Sequence, residues 1–258
     1  MHFHLPKAFH GWREFAKEVG IIVLGVLIAL GFEQLVQEWR WHDDAKQTRD
    51  ALTSEIEYSV LWAEERIAVE PCLRDRIAHL TAKLNSGSPE WTADPVALGQ
   101  PRNPLGRGIE TAVPLGYRAP HRPWLSDEWE TAKSSGIIDH MDRNEARSLE
   151  FIYREIGQMR SLQDEEASLE PQISFLSFTQ TLQPQSRVQA LVTLARLDFL
   201  NSLQGQSARQ IVVIARGRSL NLSLGPISFG LRKVRFHAAR GQIMDALKER
   251  YGGCVVEP

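Results

Sequence analysis

The sequence is poor in the features that identify an enzyme or a nucleic-acid-binding protein. It contains no nucleophile elbow, Walker loop, dinucleotide fingerprint or His-Glu-x-x-His motif. Its formal net charge is only −2 over 258 residues, so the overall charge does not favour a nucleic-acid partner. Short-period repeats and long low-complexity tracts are also missing. We therefore predict no catalytic residue, no cofactor and no nucleic-acid partner.

Histidines are few and scattered, which argues against a metal site. His2 and His4 lie in an N-terminal tail that we expect to be mobile. His42, Asp43 and Asp44 are consecutive, and consecutive residues of a helix point in different directions. We predict that the protein holds no metal ion.

One long apolar run is present near the N-terminus, in the stretch EVGIIVLGVLIALGFEQLVQEWRW (18–41). Residues 19–32 carry no charge, but a run of this length occurs in membrane spans, signal peptides and core helices alike. Trp12 and Trp39 bracket the run 27 residues apart, which is about 40 Å along a helix. Tryptophan prefers the headgroup zones of a bilayer, whose separation matches this distance. The pattern favours a membrane-spanning helix.

A cleaved signal and a soluble core helix are the two alternatives. No small-residue cleavage site follows the run, as a cleaved signal would require. We predict a short cytoplasmic tail (1–17), a transmembrane signal anchor (18–36) and a helical extracytoplasmic domain (37–258). Three basic residues flank each end of the run, so the positive-inside rule does not decide the orientation. We expect the inner (cytoplasmic) membrane, with the C-terminal domain in the periplasm.

The stretch KEVGIIVLGVLIALGFEQ (17–34) resembles the N-terminal anchor of a group of uncharacterised bacterial single-pass membrane proteins. The likeness rests on Glu18, the apolar stretch and the core Gly-Val-Leu-Ile-Ala-Leu (25–30), and it is confined to the anchor region. It implies a single-pass anchor followed by a helical domain, and it implies no activity. The exit Gly-Phe-Glu-Gln (31–34) departs from the Asn-rich exit of that group.

Three residues of the run are candidates for contacts between helices. Gly25 and Ala29 are four residues apart, and such a small pair lets two helix backbones approach closely. Glu18 lies at the membrane rim, where an acid either reaches water or contacts the helix of another chain. We predict a homodimer through the transmembrane helix, with a monomeric anchor as the alternative.

The remaining sequence is typical of a mainly α, bundle-like domain. We predict that Pro71 breaks or kinks the helix that follows the anchor, and that Ser126, Asp142 and Ser186 cap later helices. Gly136 is predicted to end the short helix that Ser126 begins. The segment Leu220–Leu231 alternates around a Gly-Pro pair, which predicts a small β-hairpin.

Residues 86–124 hold seven of the thirteen prolines, so we predict a long Pro/Gly-rich loop. It either packs over the helical core or binds a partner. Trp91, Tyr117 and Trp124 are its apolar anchors in both cases.

Charge is distributed unevenly along the chain. Residues 127–170 carry twelve acids and five bases, whereas residues 199–244 carry seven bases and no acid. The two segments either complement each other within one domain or leave a basic patch for an anionic partner. The candidate patch consists of Arg209, Arg216, Arg218, Arg232, Lys233, Arg235 and Arg240.

Cys72 and Cys254 are the only cysteines. An oxidising compartment such as the periplasm would allow them to form a disulfide, and two unrelated thiols are the alternative. For the whole chain we favour a membrane-anchored envelope interaction or scaffolding module. The alternatives are an envelope enzyme whose site is assembled from distant residues and a ligand-binding receptor subunit that acts through a partner.

Overall fold

The computed structural model describes residues 11–94, 117–217, 226–229 and 232–258. These residues are mainly α-helical, as predicted. Their five α-helices are α1 (Trp12–Asn85), α2 (Asp127–Ser135), α3 (Arg143–Leu169), α4 (Pro184–Ala215) and α5 (Phe236–Tyr251). Short 3-10 helices cover Ile137–His140, Glu170–Ser177 and Gly252–Cys254. The strands are β1 (Glu90–Trp91), β2 (Gln180–Thr181), β3 (Pro226–Phe229) and β4 (Arg232–Arg235).

The core lies between the second part of α1 and the helices α3, α4 and α5. Ala45 is the first buried residue of α1. Helix α3 runs parallel to α1, because Arg49 meets Glu145 near the start of both buried stretches and Arg66 meets Glu166 further along. Helix α4 runs antiparallel to α1, since its first turn meets the end of α1 through Arg187. Fully buried leucine and isoleucine side chains fill the space between these helices.

Local capping signals predict two helix ends correctly. The Asp142 carboxylate accepts hydrogen bonds from two backbone N–H groups in the first turn of α3, at 2.9 and 3.1 Å. Gly136 ends α2 with a φ of 74°, a left-handed conformation that glycine adopts without steric strain. Ser126 precedes α2 as predicted, although its side chain makes no capping bond. The prediction for Ser186 is wrong, because α4 already begins at Pro184, whose fixed φ suits the first helical position.

Pro71 does not break the first helix, so that part of the prediction is wrong, while the kink stays a prediction. Helix α1 is continuous over 74 residues with Pro71 inside it. A proline removes one helical hydrogen bond, here the bond to the carbonyl of Ile67. Ala68, Val69 and Leu73 on either side of the proline are buried in the core. The carbonyl of Ala68 also accepts a bond from the backbone N–H of Val256 at 3.1 Å. Packing and this C-terminal contact hold the helix together across the proline.

The predicted hairpin is present, but its strands lie further along the chain. Strands β3 and β4 pair antiparallel, with Ile227 opposite Val234. The two strands therefore do not pair across Gly225-Pro226, and residues 230–231 between them lie outside the described residues. Pro226 is the first residue of β3. Proline has no N–H to donate to a neighbouring strand, so it is accepted at the start of a strand but not in its middle.

The predicted loop packs against the core at both of its described ends. Trp91, Tyr117 and Trp124 are at most 4% exposed, which confirms them as apolar anchors. The indole N–H of Trp91 donates to the Leu176 carbonyl at 2.8 Å, and β1 pairs with β2 just beyond. Residues 95–116 of the loop lie outside the described residues.

Candidate functional site

The first part of α1 lies outside the packed core of the domain. From Trp12 to Arg40 it is almost entirely exposed, and its apolar window is 0% buried. This part is about 43 Å long at 1.5 Å per residue. Among the described residues, α1 is the one helix long and apolar enough to cross a membrane. The two bracketing residues, Trp12 and Trp39, are about four-fifths exposed.

The three residues predicted to make helix–helix contacts all lie on this exposed part. Glu18, Gly25 and Ala29 are exposed, and a Cβ added to Gly25 would meet no other atom within 4 Å. The surface around Gly25 is therefore open for a second helix. The homodimer stays a prediction, because the structure contains one chain.

The two cysteines are brought together although 182 residues separate them. Cys72 lies inside α1, and Cys254 lies in the last 3-10 helix, with Cα atoms 5.1 Å apart at disulfide distance. The bond between Val256 and Ala68 lies one turn away. The C-terminal segment is thus tied to the middle of α1, as the pairing prediction requires.

Three of the seven predicted basic-patch residues are neutralised inside the domain. Arg209 contacts Glu70 at 2.6 Å, while Arg216 and Arg240 both contact Glu64, the latter at 2.6 Å. Their partners lie on α1 and not in the acidic segment 127–170 that the sequence suggested. These contacts favour charge complementation within the domain. Arg218 and the side chains of Arg232, Lys233 and Arg235 lie outside the described residues, so for them the anionic partner stays a prediction.

A buried group of polar residues, here called the central ionic cluster, joins four parts of the chain. Arg66 of α1 donates to both carboxylate oxygens of Glu166 on α3, at 3.1 and 3.3 Å. Tyr117 and Gln204 also donate to Glu166, at 2.8 and 3.0 Å. Asn201 of α4 accepts from Arg66 at 3.0 Å. All five side chains are less than 5% exposed.

The electrostatics of the cluster favour a charged Arg66 and a neutral Tyr117. Burial alone would lower the pKa of Arg66, but the charge of Glu166, its hydrogen bonds to Arg66 and the nearby Tyr117 and Tyr251 together raise that pKa. Burial, followed by the charge of Glu166, raises the pKa of Tyr117 well above its usual value. Arg66, Tyr117 and Gln204 all donate hydrogen bonds to the Glu166 carboxylate. Such a cluster is suited to holding helices in register.

The sequence did not predict this cluster. The most buried stretch of α1 is rich in charged residues, and such a stretch is typical of a helix that faces water. This stretch, EERIAVE (64–70), contains four charged residues, all at most 6% exposed. Each finds its partner in a distant segment, as Glu65 does with Arg122 at 2.6 Å. The sequence itself offered one indication of a buried cluster: several charged residues lie between the apolar residues Val60-Leu61 and Leu73.

No arrangement typical of a metal centre is found in the described part of the chain, where no three His, Cys, Asp or Glu side chains are placed to share an ion. A cavity of about 670 Å³ lies beside α1, and its described wall runs from Phe32 to Asp44 along this single helix. It lies at the end of the apolar run and includes Arg40 and Trp41. It is separate from the central ionic cluster.

An apolar stripe on α4 faces away from the core. Val188, Val192 and Phe199 are 60%, 62% and 51% exposed. Their spacing of four and seven residues places them on one face of the helix. Here this face is called the α4 stripe, and exposed apolar groups of this kind are typical of protein contact surfaces.

Comparison with known proteins does not assign the chain to a family. No protein-family model, no curated protein and no solved structure matches the chain. The fold and the contacts above are therefore the basis of the functional argument.

Proposed function

We propose that the protein is a single-pass membrane-anchored interaction or scaffolding module of the bacterial envelope. One observation carries the proposal: α1 is a single helix of 74 residues whose first part is exposed and apolar and whose second part is the central helix of the domain. A continuous helix transmits position and orientation better than a flexible linker would. The domain would thus be held at a set height above the membrane.

The cysteine pair supports the placement of this domain in the periplasm. Disulfides persist in the periplasm and are rare in the cytoplasm. Cys72 and Cys254 lie at disulfide distance, which supports an N-terminus in the cytoplasm and a C-terminal domain outside the inner membrane.

The α4 stripe favours an interaction role over catalysis. The charged groups that the fold gathers at its centre are paired with one another, as Arg66 is with Glu166, so they hold the helices together. The apolar side chains Val188, Val192 and Phe199 are instead more than half exposed on the outer face of α4. An enzyme assembled from distant residues stays the alternative.

The anchor is tested by extraction of membranes with alkaline carbonate. The intact protein should stay in the membrane pellet, because about 18 apolar residues of α1 would have to leave the bilayer. A variant with Leu24→Arg, Leu27→Arg and Ile28→Arg should be released into the supernatant or fail to insert. Recovery of the intact wild-type chain in the soluble fraction would reject the anchor.

Self-association through the span is tested by cross-linking between copies in membranes. Gly25→Ile should reduce the dimer yield several-fold, because a bulky side chain separates the two backbones. Leu24→Ile is the matched control, since it keeps side-chain size on the neighbouring face and should leave the yield unchanged. An equal yield in the wild type and in Gly25→Ile would rule out this interface.

A further inference from the structure

Three arginines from two remote segments meet around Tyr251. Arg118 and Arg122 belong to the extended segment that precedes α2, and Arg250 lies at the end of α5. The Tyr251 hydroxyl donates to the Arg118 carbonyl at 3.1 Å. The Arg250 guanidinium lies over the Tyr251 ring, 4.9 Å from its centroid. Arg122 stacks in the same way on Trp62 at 4.7 Å.

Among the residues that the structure describes, Arg122 is the one of these three cations with an anionic partner. Arg122 makes two hydrogen bonds to Glu65, at 2.6 and 2.7 Å. In the described part of the chain, neither Arg118 nor Arg250 has an ion pair or a hydrogen bond from its guanidinium. Both are only partly exposed, so water does not solvate them fully. Two half-buried positive charges are therefore left beside a third that is paired.

Glu170, a second acid in this segment's surroundings, is already engaged. Glu170 accepts a hydrogen bond from the backbone N–H of Ala119 at 3.1 Å and lies 3.4 Å from the His121 ring. Burial lowers the pKa of Arg250, and the like charges of Arg118 and Arg122 add to this effect against the opposing influence of Tyr251 and Glu65. The positive charge is thus held at some free-energy cost, and a bound anion would relieve it.

We propose that Arg118 and Arg250 form a binding site for a phosphate-bearing ligand, with Arg122 as a positioned neighbour. A guanidinium stacked on an aromatic ring keeps its N–H edge available, and that edge matches two phosphate oxygens at once. Two unpaired guanidiniums also match the two charges of a phosphate dianion. The site goes beyond the scaffolding role and adds a ligand that the anchored domain would recognise.

The position of the site along α1 favours a soluble ligand over a lipid headgroup. Glu65 contacts Arg122 of the site and lies 26 residues beyond Trp39, the expected membrane boundary. This separation is about 39 Å along the helix. This distance exceeds the Debye length of about 8 Å at physiological salt. The headgroups of the anchoring membrane are thus too far away to occupy the site.

The test uses the full-length protein in nanodiscs of neutral lipid. The thermal unfolding midpoint is measured against inorganic phosphate at mildly alkaline pH, with sodium chloride at matched ionic strength as reference. Phosphate should raise the midpoint of the wild type, because a ligand that binds only the folded state stabilises it. Arg118→Gln and Arg250→Gln should each need at least tenfold more phosphate for the same shift. Arg147→Gln, an exposed arginine of α3, should respond as the wild type does.

A second readout separates a binding role from a structural one. Without phosphate, Arg250→Gln should unfold at the same or a higher temperature than the wild type, because it removes a repulsive charge. Arg122→Gln should unfold at a lower temperature, because Glu65 loses its partner. The proposal is overturned if the wild type shows no shift beyond that of chloride, or if Arg118→Gln and Arg250→Gln respond as the wild type does. Loss of the phosphate effect in nanodiscs of anionic lipid would overturn the assignment to a soluble ligand.

Discussion

Replacing Cys72 by alanine should lower the free energy of unfolding by about 2–5 kcal/mol, the usual loss when a native disulfide is removed. The bridge to Cys254 spans 182 residues, and the chain-entropy model assigns about 5 kcal/mol to so long a loop. The loss would be comparable to the net stability of a whole domain. Urea unfolding of the full-length protein, followed by circular dichroism, measures it.

The matched controls are Cys254→Ala and the double variant. Both should unfold at the same urea concentration as Cys72→Ala, because each removes the same bond. Dithiothreitol should lower the wild-type midpoint to that value and leave the variants unchanged. If both cysteines of the unreduced wild type are freely alkylated, the bridge is absent and the periplasmic placement loses its support. Exchange of the Val256 amide should also become faster in the variants, since the end of the chain is no longer held at α1.

Replacing Glu166 by alanine should destabilise the protein by about 3–5 kcal/mol, because it leaves the buried Arg66 without its counter-ion. Arg66 and Glu166 are 3% and 0% exposed. Tyr117 and Gln204 would lose their acceptor in the same change. Urea unfolding again supplies the measurement, with retained helix content showing that the variant folds.

The neighbouring residue Glu165 provides a matched control. It forms an ion pair with Arg196 at 2.5 Å, but both side chains are well exposed. Surface pairs of this kind contribute little, so Glu165→Ala should leave the midpoint nearly unchanged. The double variant Arg66→Met with Glu166→Met should recover much of the stability, because no buried charge is left unpaired. Equal losses for Glu165→Ala and Glu166→Ala would contradict the central role of the cluster.

Local patterns in the sequence determined the class of structure and several of its boundaries. Apolar periodicity marked the helices, and the run bracketed by Trp12 and Trp39 marked the exposed part of α1. Asp142 and Gly136 marked helix ends, because a cap acts within one turn of the residues that it satisfies. Trp91, Tyr117 and Trp124 marked the ends of the loop, since large aromatic side chains gain most from burial.

The tertiary structure decided what depends on contacts between distant residues. Pro71 stays inside α1 because packing and the C-terminal segment compensate for one missing helical bond. The charges of residues 64–70 are buried because their partners arrive from α3, α4 and α5, about 100 residues or more away in several cases. Charge and periodicity along one helix are the same whether its polar face meets water or a neutralising partner. Only the folded chain distinguishes the two, because that choice depends on which side chains the other helices bring to the same place.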